Sequence, residues 1–231
     1  MSTFAGKFKC FMRLLVCLII AFTSLAGNGA ELDSKMEAYG LVDLKGVVPE
    51  AVVDLMYARS DNFTGVVLYT DLTKAYLRPK AAKALRKAQD ELTRRSPGYR
   101  LKVCDASRPM SVQKKMYRVV RGTSKARYVS NPANGGGLHN YGMAVDITIV
   151  DGQGRELPMG TKVDHLGREA NIDREESLVK QGVITRAEQR NRQLLRDVMK
   201  AGGWRPLKSE WWHFNLCTRA YARANLRLLD F

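Results

Sequence analysis

The stretch "NGGGLHNYGMAVDITIV", Asn134 to Val150, joins a glycine-rich loop to a run rich in β-branched residues. From Gly142 to Val150 the run reads as a strand, yet it carries Asp146, a carboxylate inside an apolar segment. An unpaired charge buried there costs on the order of several kcal/mol, so the strand calls for a partner of opposite sign, and a metal ion is one such partner.

Outward from this strand, helices and strands alternate. Upstream, "YRLKVCD" (Tyr99 to Asp105) alternates like a half-buried strand and is broken by Pro109 of "SRP". Before it, Pro79 suits a first helical turn, Ala81, Leu85, Ala88 and Leu92 form one apolar stripe, and Ser96-Pro-Gly stops the helix. Val47 to Gly65 reads as a strand running into a loop, Ser111 to Arg121 as a second helix closed by Gly122, and Thr123 to Leu138 as loop. Downstream, Thr185 and Glu188 make a capping box for a helix with Leu194, Leu195, Val198 and Met199 on its apolar face, and Gly202-Gly203 ends it. "EWWHFNL", Glu210 to Leu216, is again strand-like. With no nucleotide-binding glycine motif and no internal repeat, the pattern predicts a single α+β domain with a central, mostly antiparallel sheet flanked by helices.

The 231 residues, 45% hydrophobic and 26% charged, are enough for one sizeable core. Residues 1–26 differ from the rest: Lys7, Lys9 and Arg13 precede the apolar run Leu14 to Ala26, with Ser24 and Ala26 suited to cleavage. They read as a secretory signal peptide, with Ala30 the alternative cleavage point and an uncleaved anchor disfavoured by the shortness of the run. Residues 27–40 then form a polar N-terminal segment. Loss of the three basic residues takes the net charge from +15 to +12. An exported protein so basic is expected to associate electrostatically with an anionic cell envelope. No nucleic-acid-binding pattern is present, so no nucleic-acid partner is expected.

Only three histidines occur, so each position is informative. His139 borders the glycine loop, Asp146 follows it by seven residues, and His213 follows Glu210 by three. Two imidazoles and a carboxylate make a three-ligand Zn2+ site with a fourth position open to water. Glu210, left over, has the chemistry of a general base toward that water. Because side chains alternate along a strand, Glu210 is expected at an irregular strand entry with His213 inside the strand. His165, in the polar "VDHLG" loop, reads as structural, and Trp211 and Trp212 as core and pocket wall.

"HNYGMAVD" followed far downstream by "EWWHF" resembles the HxxxxxxD and ExxH zinc motifs of the M15 metallopeptidases. "YARSDNFTG", "YLRPKAAKALRKAQ", "DASRP", "PMGTKVD" and "RNRQLLRDVM", in that order, look like the D-alanyl-D-alanine dipeptidase branch of the family. The resemblance covers Val42 to Leu216 and makes residues 41–231 the peptidase domain. It implies one Zn2+ per chain on His139, Asp146 and His213, Glu210 as catalytic base, and Arg108 as the cation that stabilises a tetrahedral intermediate. It implies hydrolysis of the small peptide D-Ala-D-Ala. The rival readings are a carboxypeptidase trimming peptidoglycan stem peptides and an inactive zinc-bearing wall-binding protein. Asp164 of "PMGTKVD" is the candidate acid for the substrate amine. One departure stands out: the family's serine two residues before the first histidine is Gly137 here.

Cys10 and Cys17 lie in the signal segment, leaving Cys104 and Cys217, a pair that an oxidising compartment permits to join. If the strands bearing Arg108 and His213 are antiparallel neighbours, the register aligning those residues also opposes Cys104 to Cys217.

Overall fold

The computed structural model describes residues 31–231, so the expected signal peptide lies outside the described residues. Among the described residues no helix is long and apolar enough to cross a membrane.

The centre is a five-stranded sheet. Its strands are β2 (Val52–Val53), β4 (Arg100–Asp105), β5 (Ala144–Val150), β6 (Arg205–Leu207) and β7 (Glu210–Asn215), in the order β2-β4-β5-β7-β6. Only β2 to β4 is parallel; the other pairs are antiparallel, which agrees with the expected mostly antiparallel sheet. Strands β1 (Val42–Asp43) and β3 (Tyr76–Leu77) form a separate two-stranded ladder. Every residue of β5 is buried, which explains a continuous apolar run rather than an alternating one.

The longest helix among the described residues, α2 (Pro79–Arg95), has Pro at its first position and buries Ala81, Ala82, Leu85, Ala88 and Leu92. Gln89, on the same face, is almost wholly buried and fully used. Its amide oxygen accepts from Leu101 N at 2.7 Å and its nitrogen donates to Tyr99 O at 3.1 Å, fastening α2 to the start of β4. Helix α5 (Arg186–Ala201) opens on the capping box: Glu188 N donates to Thr185 Oγ1 and Thr185 N to Glu188 Oε2. At its far end Gly202 keeps helical dihedrals (φ −75°) and lies against α2, where an added Cβ would come within 2.4 Å of Ala84 O. Gly203, at φ 90°, makes the turn. The two glycines therefore do different work: one permits close helix approach and the other ends the helix. Shorter helices are α3 (Met110–Val120), α4 (Glu175–Lys180) and α6 (Arg219–Asn225). Arg196 of α5 holds Glu175 of α4 in a buried, two-pronged ion pair at 2.6 and 2.7 Å. At the other end, residues 31–38 form helix α1, with Met36 in the core.

The register argument for the cysteines fails, because β5 lies between β4 and β7. A bulge between Val103 and Asp105 also leaves Cys104 out of the ladder. Both cysteines are free, Cys104 buried and Cys217 partly so.

Candidate active site

Asp146 of β5 is paired directly with His213 of β7, so the two side chains stand side by side on one face. His139 arrives from a 3-10 turn, Leu138–Tyr141, immediately before β5. Gly142 ends that turn at φ 70°, and a Cβ there would come within 2.6 Å of Leu41 and 3.0 Å of Ser107. Glycine is thus required twice over, for backbone angle and for space.

Three donor atoms converge. His139 Nε2 lies 3.2 Å from His213 Nδ1 and 3.4 Å from Asp146 Oδ2, and His213 Nδ1 lies 2.9 Å from Asp146 Oδ1. A tetrahedral ion bonded at about 2.0–2.2 Å would set its ligand atoms about 3.3–3.6 Å apart. The residues therefore fit a small cation with little adjustment, and they form a His–Asp–His group able to hold a metal. The far ring nitrogens are also committed. His139 Nδ1 donates to Ala106 O (2.6 Å) and His213 Nε2 to Asn215 Oδ1 (3.0 Å), which would fix each tautomer and leave the inward nitrogen as a lone pair for a bound cation, whereas without one those nitrogens can carry protons toward Asp146. Burial would raise the Asp146 carboxyl, but the imidazoles of His139 and His213 outweigh it and hold the pKa well below the ordinary carboxylate range.

Arg108 sits beside the cluster, almost wholly buried. The β4 bulge brings Asp105 opposite Asp146, and Asp105 accepts from both Nε and Nη2 of Arg108. Tyr69 O–H donates to the other Asp105 oxygen at 2.6 Å, and Gln113 Oε1 accepts from Arg108 Nη1 at 3.0 Å. A guanidinium has five N–H donors, so one hydrogen on each terminal nitrogen remains for a ligand. Arg108 Nη2 is 3.7 Å from Asp146 Oδ2, which puts that free edge at the metal group.

Glu210 is the first residue of β7, where the pairing with β6 slips between Pro206 and Leu207. That irregularity lets residues three apart, Glu210 and His213, line the same cavity despite the two-residue period of a strand. Its carboxyl is buried and makes no side-chain hydrogen bond among the described residues. Burial, assisted by the charges of Asp146 and Asp164 and opposed by His213, pushes its pKa up to about 7.

Asp164 lies on the loop after β5 and is the single non-glycine among the described residues with positive φ, at 64°. Such a conformation costs on the order of 1–3 kcal/mol and persists where surrounding contacts impose it. Tyr57 O–H donates to its carboxylate. Burial and the nearby charge of Asp146 raise its pKa to about 7.

Together these residues line a cavity of about 220 Å³, below the ~300–1,000 Å³ usual for drug-sized ligands and so suited to a small one. The six sequence-predicted site residues, Arg108, His139, Asp146, Asp164, Glu210 and His213, all border it. Sequence reasoning missed Tyr57, Gln113, Ser130, Asn215 and Arg219, which border it too. Asn215 had a signal, two residues beyond His213 in an alternating strand; Gln113 is a buried polar residue inside α3, Arg219 opens α6, Tyr57 sits in a 3-10 turn and Ser130 in a loop, and none of these belongs to a spaced motif. His165 is exposed and pairs with Glu169 at 3.0 Å, away from the cavity. Trp211 and Trp212 are core residues as expected, but neither walls this cavity; Trp211 Nε1 donates instead to Thr161 Oγ1 at 2.8 Å.

A metal-ligand triad in a small cavity, with a buried glutamate and arginine aimed at it on an α+β scaffold, defines a metallopeptidase type of centre. The chain belongs to the Peptidase_M15 family, whose profile, described as D-ala-D-ala dipeptidase, matches residues 37–229. It is similar to the D-alanyl-D-alanine dipeptidase of Escherichia coli, 33% identical over 176 residues that make up 76% of this chain and 84% of that protein. The corresponding enzyme of Enterococcus faecalis is 28% identical over 73% of this chain and 87% of its own. Among solved structures, the LdcB LD-carboxypeptidase overlaps 83% of this chain and 75% of its own with a TM-score of 0.42 and 18% identity.

Proposed function

We propose that the protein is a zinc-dependent dipeptidase that hydrolyses D-Ala-D-Ala. The observation that carries this reading is Asp164, held by Tyr57 on the wall of the same small cavity as the His139–Asp146–His213 group. A dipeptide presents a free ammonium on the same residue as the carbonyl to be attacked, and a half-buried acid near the metal group is its natural counter-charge. The names of the relatives support the substrate. Two imidazoles and a carboxylate suit zinc, which when bound would lower the pKa of water and polarise the peptide carbonyl.

The chain's own residues supply the rest. Glu210, unpaired and with a proton affinity near neutrality before any metal charge is added, takes the proton of the attacking water and returns it to the leaving amine. Arg108 offers its remaining N–H groups to the carbonyl oxygen as it gains charge, and its pairing with Asp105 and Gln113 means no reorganisation is needed. Asp164 and Tyr57 hold the ammonium and close that end of the cavity.

Kinetics on D-Ala-D-Ala and N-acetyl-D-Ala-D-Ala test this. The free dipeptide should be preferred at least about tenfold, since acetylation removes a charge pair with a half-buried acid. Activity should vanish with a chelator and return with zinc. Equal rates on the two substrates would overturn the dipeptidase reading and favour a carboxypeptidase. We also propose that residues 1–26 export the chain, whose basic surface then favours the anionic envelope. The processed N-terminus should be Gly27, and extracytoplasmic protein retaining Met1 would contradict cleavage.

A further inference from the structure

The glycine loop poses a question that the catalytic residues leave open. Gly137 has φ −110°, an extended conformation open to any residue, so its backbone does not require glycine. Space does: a Cβ at Gly137 would lie 2.7 Å from Ser130 Oγ and 3.2 Å from Ser130 Cβ. Ser130 fills the volume that a side chain at position 137 would take. Its carbonyl accepts from Gln113 Nε2 at 2.7 Å, and Gln113 in turn holds Arg108. Ser130 lines the cavity, and its hydroxyl makes no hydrogen bond among the described residues.

The same loop is also held by Arg219, at the start of α6. Its Nη2 donates to Gly136 O, and no carboxylate lies within ion-pair distance of it among the described residues. The cavity wall carries the carboxylates Asp146, Asp164 and Glu210 and the guanidinium groups Arg108 and Arg219. Arg108 is neutralised by Asp105, so Arg219 is the wall's one guanidinium without an acid partner among the described residues.

We infer that Ser130 and Arg219 form the subsite for the substrate's terminal carboxylate, the hydroxyl and guanidinium gripping it across the glycine loop. The inference rests on the peptidase reading above and adds the residues that set specificity at the leaving-group end. A guanidinium suits this ligand because its parallel N–H groups match the two oxygens of a carboxylate, and one bond to Gly136 leaves such an edge free. Arg219 is exposed, at the cavity rim, so the contact governs substrate capture more than the chemical step.

The test compares D-Ala-D-Ala with its C-terminal amide in the parent enzyme and in Arg219→Ala, Arg219→Lys and Ser130→Ala. The parent should favour the acid. Arg219→Ala should raise KM for the acid by roughly tenfold or more with a smaller change in kcat, collapsing the acid-over-amide preference. Arg219→Lys should recover part of that preference, and Ser130→Ala should reduce it. Metal content and melting temperature should match the parent's. Equal losses on acid and amide would show that Arg219 only props the glycine loop, and an unchanged preference would exclude the subsite. If the parent cleaves N-acetyl-D-Ala-D-Ala but not the free dipeptide, the dipeptidase reading fails, and the same comparison on the acetylated acid and amide still decides the carboxylate subsite.

Discussion

His139 and His213 present opposite ring nitrogens to one point, Nε2 from the first and Nδ1 from the second, each steered by an acceptor on its far side. For His139 that acceptor is backbone and beyond the reach of substitution; for His213 it is Asn215. Asn215→Ala should therefore weaken metal binding about 10–100-fold, the usual cost of losing such an orienting partner, while the fold survives. Metal competition with a chelator would measure it, and unchanged affinity would count against the tautomer assignment. Glu210→Ala should do the reverse, keeping the metal and lowering turnover by about a hundredfold or more. Near-normal turnover would exclude it as the base. At this scale the sequence was most legible where rare residues sat in spaced motifs, as with His139, Asp146 and His213. Tyr57, Ser130 and Arg219 were not legible, because a 3-10 turn, a loop and the first residue of a short helix carry them to the cavity, and none of these imposes a period long enough to mark them.

Elements were legible where local chemistry decides them. The Thr185–Glu188 box and the Pro79 start stand where the sequence put them, since both depend on neighbours within a turn. The Gly202-Gly203 pair ends α5 as read, but the packing contact that Gly202 also makes was not legible, because its partner, α2, lies about a hundred residues away and leaves no local mark. Gly202→Ala should cost roughly 1–3 kcal/mol, the scale for forcing atoms into a packed interface. Gly46→Ala, with nothing within 4 Å of the added carbon, serves as the control. Thermal or urea unfolding of the two variants would separate packing from backbone entropy; equal stabilities would remove the helix-contact account. Strand adjacency was the other miss. Residue numbers that sum alike describe a register only if the strands are neighbours, and β5 intervenes between β4 and β7.

Across the whole molecule, the site concentrates acid inside a basic protein. Glu210 and Asp164, both pushed up to about 7 by burial first and neighbouring charge second, bind protons more tightly folded than unfolded. For an acid this sign means that folding is favoured by protonation, so the metal-free protein should lose stability as pH rises from about 4.5 to 7. Asp146 acts the other way but in a lower window, its contribution disappearing as pH falls below the ordinary carboxylate range. Melting of chelator-treated protein across pH 4.5 to 7 would show the decline. A flat or rising profile would mean that the two carboxyls are better solvated than the cavity suggests. The layout of the sheet carries a further consequence. Strand β5 takes its two neighbours from distant parts of the chain, and the histidines that meet across it are 74 positions apart. Contacts of such high sequence separation form slowly, because loop closure must precede any gain from pairing. The ligand set should therefore be assembled late in folding, and metal capture during refolding becomes a clock: its onset should date the moment when β5, with the His139 turn before it, has paired with β7.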